Sequence, residues 1–337
     1  MATYALRRGG RAWLRVAPLV FTLLLAACGG GTPIPATSGL TPTAPTPSAP
    51  TSAPATATPP VASVAATGVI GSPTAPTVSG RATPPATTVR GPLTIFAASS
   101  LTDAFAEVGQ EFMRANPDVA ITFNFEASSN LKAQLEQGAR ADLYAPADIP
   151  QMDGARGKGV IAGEQRIFAN NKLALIVPAN NPRGIAAPQD LARPGTKLIL
   201  AASYVPIGSY ARFLLARMAG DPAYGPDFYK RALGNIASEE ATTRAVVARI
   251  ALGEGDAGIV YASDVTPAVR DQVRVIPIPE SQQIIAQYPV ALVTGAANPP
   301  AAQAFIAYLL SPAGQATLVR NGFIPVAATA MTIPAAP

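Results

Sequence analysis

Three short turns carry the residues best suited to chemistry in this 337-residue chain. They read Ala98-Ser99-Ser100-Leu101-Thr102-Asp103, Glu126-Ala127-Ser128-Ser129-Asn130-Leu131 and Ser203-Tyr204-Val205-Pro206-Ile207-Gly208-Ser209. Each follows a short β-rich run and precedes a helical pattern, so each sets hydroxyls and free backbone N–H groups at a helix start. Such groups donate hydrogen bonds, and the aligned peptide dipoles add positive potential without a full charge. The combination suits a fully ionised dianion, because neutral donors commit no lone pair to a ligand proton. A Ser before a helix is ordinarily an N-cap, and Ser100 to Asp103 has the spacing of a capping box. Asp103 is therefore read as a cap rather than an acid catalyst. Three hydroxyl-bearing turns in one chain point beyond capping, provided the fold brings them together.

Other chemistry is sparsely provided. The chain has no His and a single Cys, Cys28. That leaves Ser, Lys, Tyr and carboxylates as nucleophiles or general bases. No paired-carboxylate or Ser-Lys signature occurs, so an enzyme on this scaffold is disfavoured. No intramolecular disulfide can form. The formal charge of +5 is unevenly spread: from Gly91 onward there are 19 basic and 20 acidic side chains. A near-neutral folded part gives no electrostatic case for nucleic acid.

The elements that must position the turns follow from hydrophobic period. From Pro92 the texture alternates strand and helix. Leu101, Phe105, Val108 and Phe112 share one helical face, and Ile121-Thr122-Phe123-Asn124-Phe125 alternates apolar and polar. Strands are expected at 93–97, 121–125, 143–145, 173–177, 198–201, 257–261, 273–276 and 290–293. Helices are expected at 101–115, 131–137, 208–219, 241–252, 301–310 and 312–320. Alternation of this kind predicts an α/β protein with largely parallel sheets, and about 235 ordered residues predict two domains. In such folds ligands bind outside the carboxyl ends of strands, where these turns lie.

What precedes Pro92 is of another kind. Arg7, Arg8, Arg11 and Arg15 are followed by an apolar run, Val16 to Ala27, too short to span a bilayer. Residues 1–27 read as an export signal. Its end, Leu25-Ala26-Ala27-Cys28, resembles a bacterial lipobox, which implies cleavage before Cys28 and diacylation of its thiol. Two acyl chains hold a protein on a membrane far better than one. Gly29 to Arg90 has 13 Pro among 62 residues, no aromatic and no acidic side chain. This composition cannot bury enough apolar surface to fold, so residues 28–91 are read as a lipidated tether.

Several segments together resemble the periplasmic molybdate-binding proteins of ABC importers. They are Phe96-Ala97-Ala98-Ser99-Ser100-Leu101-Thr102, Phe125-Glu126-Ala127-Ser128-Ser129-Asn130-Leu131, Gly138-Ala139-Arg140-Ala141-Asp142-Leu143-Tyr144, Gly258-Ile259-Val260-Tyr261-Ala262-Ser263-Asp264 and Tyr288-Pro289-Val290. Their order and spacing match from about Pro92 to Val326. The resemblance implies a two-lobed, type II periplasmic binding protein fold with mixed, mainly parallel sheets and two interlobe crossovers. Lobe 1 would comprise 92–171 with 289–337, and lobe 2 would comprise 172–288.

It further implies a monomeric, extracytoplasmic receptor that holds molybdate or tungstate without any other cofactor or direct metal ligand. The receptor would deliver its anion to an ABC permease. Ser100 and Ser128 would be hydroxyl ligands, Ile207 and Thr243 main-chain donors, and Tyr261 a phenol donor. Thr243 stands where an apolar residue is common, and Ile207 is bulkier than usual. Arg244, beside Thr243, is read as an ion-pair partner rather than an anion ligand. A receptor for sulfate or phosphate and a structural surface lipoprotein are the other readings.

Overall fold

The computed structural model describes residues 89–326. The export signal, Cys28 and nearly all of the tether lie outside the described residues. In chain order the elements are β1 (Gly91–Ala98), α1 (Thr102–Ala115), β2 (Val119–Glu126), α2 (Ser128–Glu136), β3 (Leu143–Ala145), α3 (Ile149–Gly157) and β4 (Ile161–Pro178). They continue with β5 (Leu198–Ala201), α4 (Pro206–Ala219), α5 (Phe228–Gly234), β6 (Ile236–Glu240), α6 (Thr243–Ala251), β7 (Ala257–Tyr261) and β8 (Val273–Ile276). The last are β9 (Ile285–Val293), α7 (Pro299–Leu309), α8 (Pro312–Arg320) and β10 (Ile324–Pro325).

Strand order is β2-β1-β3-β9-β4-β7-β5-β6, with β8 and β10 also paired to β4. The outer pairings, β1 with β2 and β3, and β5 with β6 and β7, are parallel. The middle pairings around β4 and β9 are antiparallel. Strand β4 explains the two-part layout. Its 18 residues, at about 3.3 Å each, reach about 60 Å, longer than one lobe requires. Ile161 to Lys172 pair with β9, whereas Leu173 to Pro178 pair with β7 and β8. The chain crosses in β4 and returns into β9, giving two lobes on one shared strand.

The predicted amphipathic face of α1 is the buried one: Phe105, Val108 and Phe112 point inward. Phe305 from α7 meets Phe105 and Phe112 edge-on, at centroid distances of 5.8 and 5.3 Å. Each ring buried this way contributes about 1.5–3 kcal/mol relative to exposure. Ile199, Leu215, Val246, Ile250 and Ile259 belong to the same continuous core, and a smaller cluster around Phe96, Leu131, Tyr144 and Met152 packs apart from it.

Some elements escape the sequence pattern. The first two-thirds of β4 carries polar residues on both faces, and register shifts between Ala162/Arg166 and Ile167/Ala169 break its alternation. Helix α3 contains Pro150, Gly154 and Gly157 within nine residues. Helix α5 begins after Asp227, which sits in the left-handed region at φ 59°. Five of the six expected helices start one to three residues from the expected position, and two of these shifts bear on the site. The helix predicted from 131 begins at Ser128, and the one predicted from 241 begins at Thr243.

Gly208 shows how tightly one helix start is seated. A Cβ at this position would collide with the carbonyl oxygens of Ala201 and Ala202, at the end of β5. The clash is with backbone, which cannot swing aside. Gly208→Ala is therefore expected to cost about 1–3 kcal/mol of stability, as overpacking does. Urea unfolding checks it, and an unchanged midpoint would mean that α4 is not pinned to β5.

Candidate anion-binding site

Ser100, Ser128, Ile207, Thr243 and Tyr261 all line one cavity, whose atom-free space, its solvent-open mouth included, is ≈ 200 Å³. Each reaches it from the carboxyl end of a strand. Ser100 follows β1 in a 3-10 turn, and Ser128 is the first residue of α2 after β2. Ile207 is the second residue of α4, Thr243 the first of α6, and Tyr261 the last of β7. The three turns singled out by residue type thus converge, joined by two donors from the second lobe.

Capping separates these helix starts from others in the fold. Asp148, Asn298 and Ser311 cap α3, α7 and α8 with side-chain oxygens. The 3-10 turn before α1, and helices α2 and α4, have no side-chain cap. Helix α5 is also uncapped, but its start does not line the cavity. Helix α6 is capped by Thr242, whose hydroxyl takes the N–H of Ala245 and leaves that of Thr243 free of it. First-turn N–H groups have no intrahelical acceptor. Here they point positive helix ends at a common space. No Lys or Arg lines that space.

The side chains add hydroxyl donors. Ser128 Oγ accepts the N–H of Ala147 at 3.0 Å, and Ser100 Oγ lies 3.0 Å from the phenol oxygen of Tyr288. The Tyr261 phenol is buried and meets no hydrogen-bond partner. Burial pushes it well above the ordinary tyrosine range, so it stays protonated and able to donate. Its ring is held edge-on by Tyr288 and Tyr210, at 5.5 and 6.4 Å.

Thr243 shows why a polar residue occupies an apolar niche. Its hydroxyl turns from the anion role and donates to Asp264 Oδ2 at 2.7 Å. The same oxygen accepts the N–H of Tyr261 at 3.0 Å. Asp264 therefore ties the start of α6 to the end of β7. Asp103 is a correction. It caps no helix; its carboxylate takes Arg244 Nη2 at 2.9 Å, and Arg244 Nε donates to Ser99 O at 3.0 Å. Arg244 is thus an interlobe ion-pair partner, as expected. Both groups are well exposed, so the pair adds at most about 1 kcal/mol.

A wider hollow lies at the amino end of β3, beside Arg140 and Asp142. Asp142, its buried carboxylate, is already satisfied by the N–H groups of Thr94 and Asn298 at 2.7 and 2.8 Å.

A two-lobed α/β scaffold with donors gathered at its strand ends defines a solute-binding protein. Residues 93–324 match the model of the bacterial extracellular solute-binding proteins, and the chain belongs to that family. It is similar to the molybdate-binding protein ModA of Mycobacterium tuberculosis (strain H37Rv), 35% identical over 231 residues, 68% of this chain and 84% of the relative. The solved substrate-binding domain ascribed to a molybdenum ABC transporter of Clostridium difficile shares 28% identity at a TM-score of 0.54, over 70% of this chain and 99% of that one. The periplasmic molybdate-binding protein of Azotobacter vinelandii shares the fold, with a TM-score of 0.60 at 17% identity, over 70% of this chain and all of its own.

Asp264 gives the site a pH signature. Burial pushes its carboxyl up to about 6, against the pull of Thr243 and the Tyr261 N–H. A carboxyl that binds its proton more tightly when folded loses stability as pH rises from about 4 to about 6. Asp264→Asn keeps an acceptor for Thr243 and removes the buried charge. Its stability relative to the parent is expected to rise across that window by on the order of 2 kcal/mol, then level off. Thermal unfolding at a series of pH values checks this, and parallel curves would refute it.

Proposed function

We propose that this protein captures molybdate, or the similar tungstate, between its lobes and delivers it to an ABC permease. The carrying observation is the cavity itself, where four helix or turn starts and a buried, unpartnered phenol meet with no cation among them. A tetrahedral dianion carries acceptors on every side. Ser100 and Ser128 would donate their hydroxyls, Ile207 and Thr243 their backbone N–H groups, and Tyr261 its phenol. The helix ends supply positive potential where the negative charge sits. The protein would act by binding and release rather than turnover, since no His and no nucleophile–base pair lines the cavity.

The lobes would divide as 92–171 with 289–337, and 172–288. The protein would act as a monomer, because one chain supplies every donor. Cys28 would carry the lipid that holds it to the membrane, with residues 29–91 as tether. Cys28→Ser is expected to move the protein from the membrane fraction to the soluble one, followed by fractionation of cells. Retention in the membrane would remove the anchor from this proposal.

Titration calorimetry with molybdate, tungstate, sulfate and phosphate tests the ligand. Molybdate or tungstate should bind most tightly, and equal indifference to all four would end the reading. Joint replacement of Ser100 and Ser128 by Ala removes two hydrogen bonds to a charged ligand and should weaken binding by about 2–5 kcal/mol. Unchanged affinity would mean that the anion sits elsewhere.

A further inference from the structure

Away from the crossing strands, two side chains among the described residues bridge the lobes beside the cavity by hydrogen bonds. Gln151 Nε2 reaches Tyr204 O at 3.5 Å, exposed and at the limit of a hydrogen bond. Arg244 makes the closer contacts: its Nε donates to Ser99 O at 3.0 Å and its Nη2 to Asp103 Oδ2 at 2.9 Å. Chemistry fixes the direction of the first bond, since a guanidinium has only donors and a carbonyl only acceptors.

Both ends of that bond are anchored next to anion-site residues. Ser99 O belongs to the same planar peptide as the N–H of Ser100, so holding it sets that peptide's plane. It also accepts the backbone N–H of Thr102 and the Thr102 hydroxyl, the latter at 2.7 Å, which fix the acceptor in place. Arg244 follows Thr243 in the first turn of α6, and the Thr243 hydroxyl is tied to buried Asp264 at 2.7 Å. One hydrogen bond thus joins the residue before Ser100 to the residue after Thr243, and Arg244 itself does not line the cavity.

We infer that Arg244 is a latch: its bond to Ser99 O holds the closed lobes together and so sets how slowly the anion escapes. The inference rests on the lobe division and the oxyanion reading proposed above, and deepens them. A contact made only between closed lobes shifts the balance from open to closed, and an enclosed ligand leaves through the open state. Entry also passes through the open state, where Arg244 and Ser99 stand apart, so the latch leaves association unchanged. The two bonds of Arg244 differ in weight. The pair with Asp103 joins groups that both meet water, whereas the bond to Ser99 O is partly buried and its donor is charged.

Release of radiolabelled molybdate into an excess of unlabelled molybdate, and its uptake at short times, give both rates for the full-length protein. Thermal melts control for folding. Arg244→Ala is expected to speed release about tenfold, as for loss of one charge-assisted hydrogen bond, at an unchanged association rate. Asp103→Asn keeps the bond to Ser99 O and should change release by about threefold at most. Arg244→Gln separates contact from charge. Its amide nitrogen is attached to Cδ as Arg Nε is, so it keeps a donor for Ser99 O, and release should fall between the parent and Arg244→Ala. An Arg244→Ala protein that releases at the parent rate, or that loses association rate instead, would overturn the latch. So would Arg244→Gln or Asp103→Asn releasing as fast as Arg244→Ala. A parent protein that binds no oxyanion would instead overturn the reading on which the latch rests.

Discussion

An anion taken out of water must find a hydrogen-bond donor for each lone pair it had shared with solvent, and the structure is organised around that requirement. Lys or Arg would meet it with full charge, but a buried cation carries its own desolvation cost once the anion leaves. Helix ends avoid this. Their N–H groups are left over by helix geometry, and the dipoles behind them are set by the backbone. Leaving the 3-10 turn before α1, and helices α2 and α4, without side-chain caps keeps those donors available. Elsewhere in the fold, at α3, α7 and α8, side chains do the capping.

Such donors are only as good as their aim. Strands end where helices begin, so sheet order determines which N–H groups can share a space. In the first lobe β1, β2 and β3 run parallel and bring Ser100, Ser128 and Ala147 together. In the second, β5, β6 and β7 do the same for Ile207, Thr243 and Tyr261. Strand β4, common to both, sets one group against the other. Buried polar contacts then hold individual side chains: Asp264 engages Thr243 and the Tyr261 N–H, and Tyr288 reaches Ser100 from the returning strand β9. The cavity is thereby connected to both strands on which the chain changes lobe, with Asn171 of β4 hydrogen-bonded to Ser263 beside Asp264.

The Arg244–Asp103 pair belongs to a different layer. It spans the lobes beside the cavity, yet both partners meet water, so it adds little energy while placing a positive group near the cavity without lining it. Its place also accounts for Asp103, three residues after Ser100. A carboxylate facing the helix start unpaired would repel the ligand that the dipoles attract, and the guanidinium offsets it.

Much of this was already written in local sequence. Hydrophobic period gave β3, β5, β7, β8 and α8 to the residue, because strands and helices bury one face and the spacing of apolar residues reports which. Turn composition marked the three hydroxyl-bearing turns at 98–103, 126–131 and 203–209, because position relative to a helix start is a local property, whereas the resemblance singled out Ser100, Ser128, Ile207, Thr243 and Tyr261. Elements lacking a clean period, such as the front of β4 with its register shifts, were not legible in this way. Nor were the partners of the polar side chains. Thr243 finds Asp264 across 21 residues, Arg244 finds Asp103 across 141, and Ser100 finds Tyr288 across 188. Sequence alone determined which donors exist and that they stand at strand ends. Only the tertiary structure decided which of them meet, since that depends on neighbours brought near by the crossing of β4 and β9 rather than by proximity in the chain.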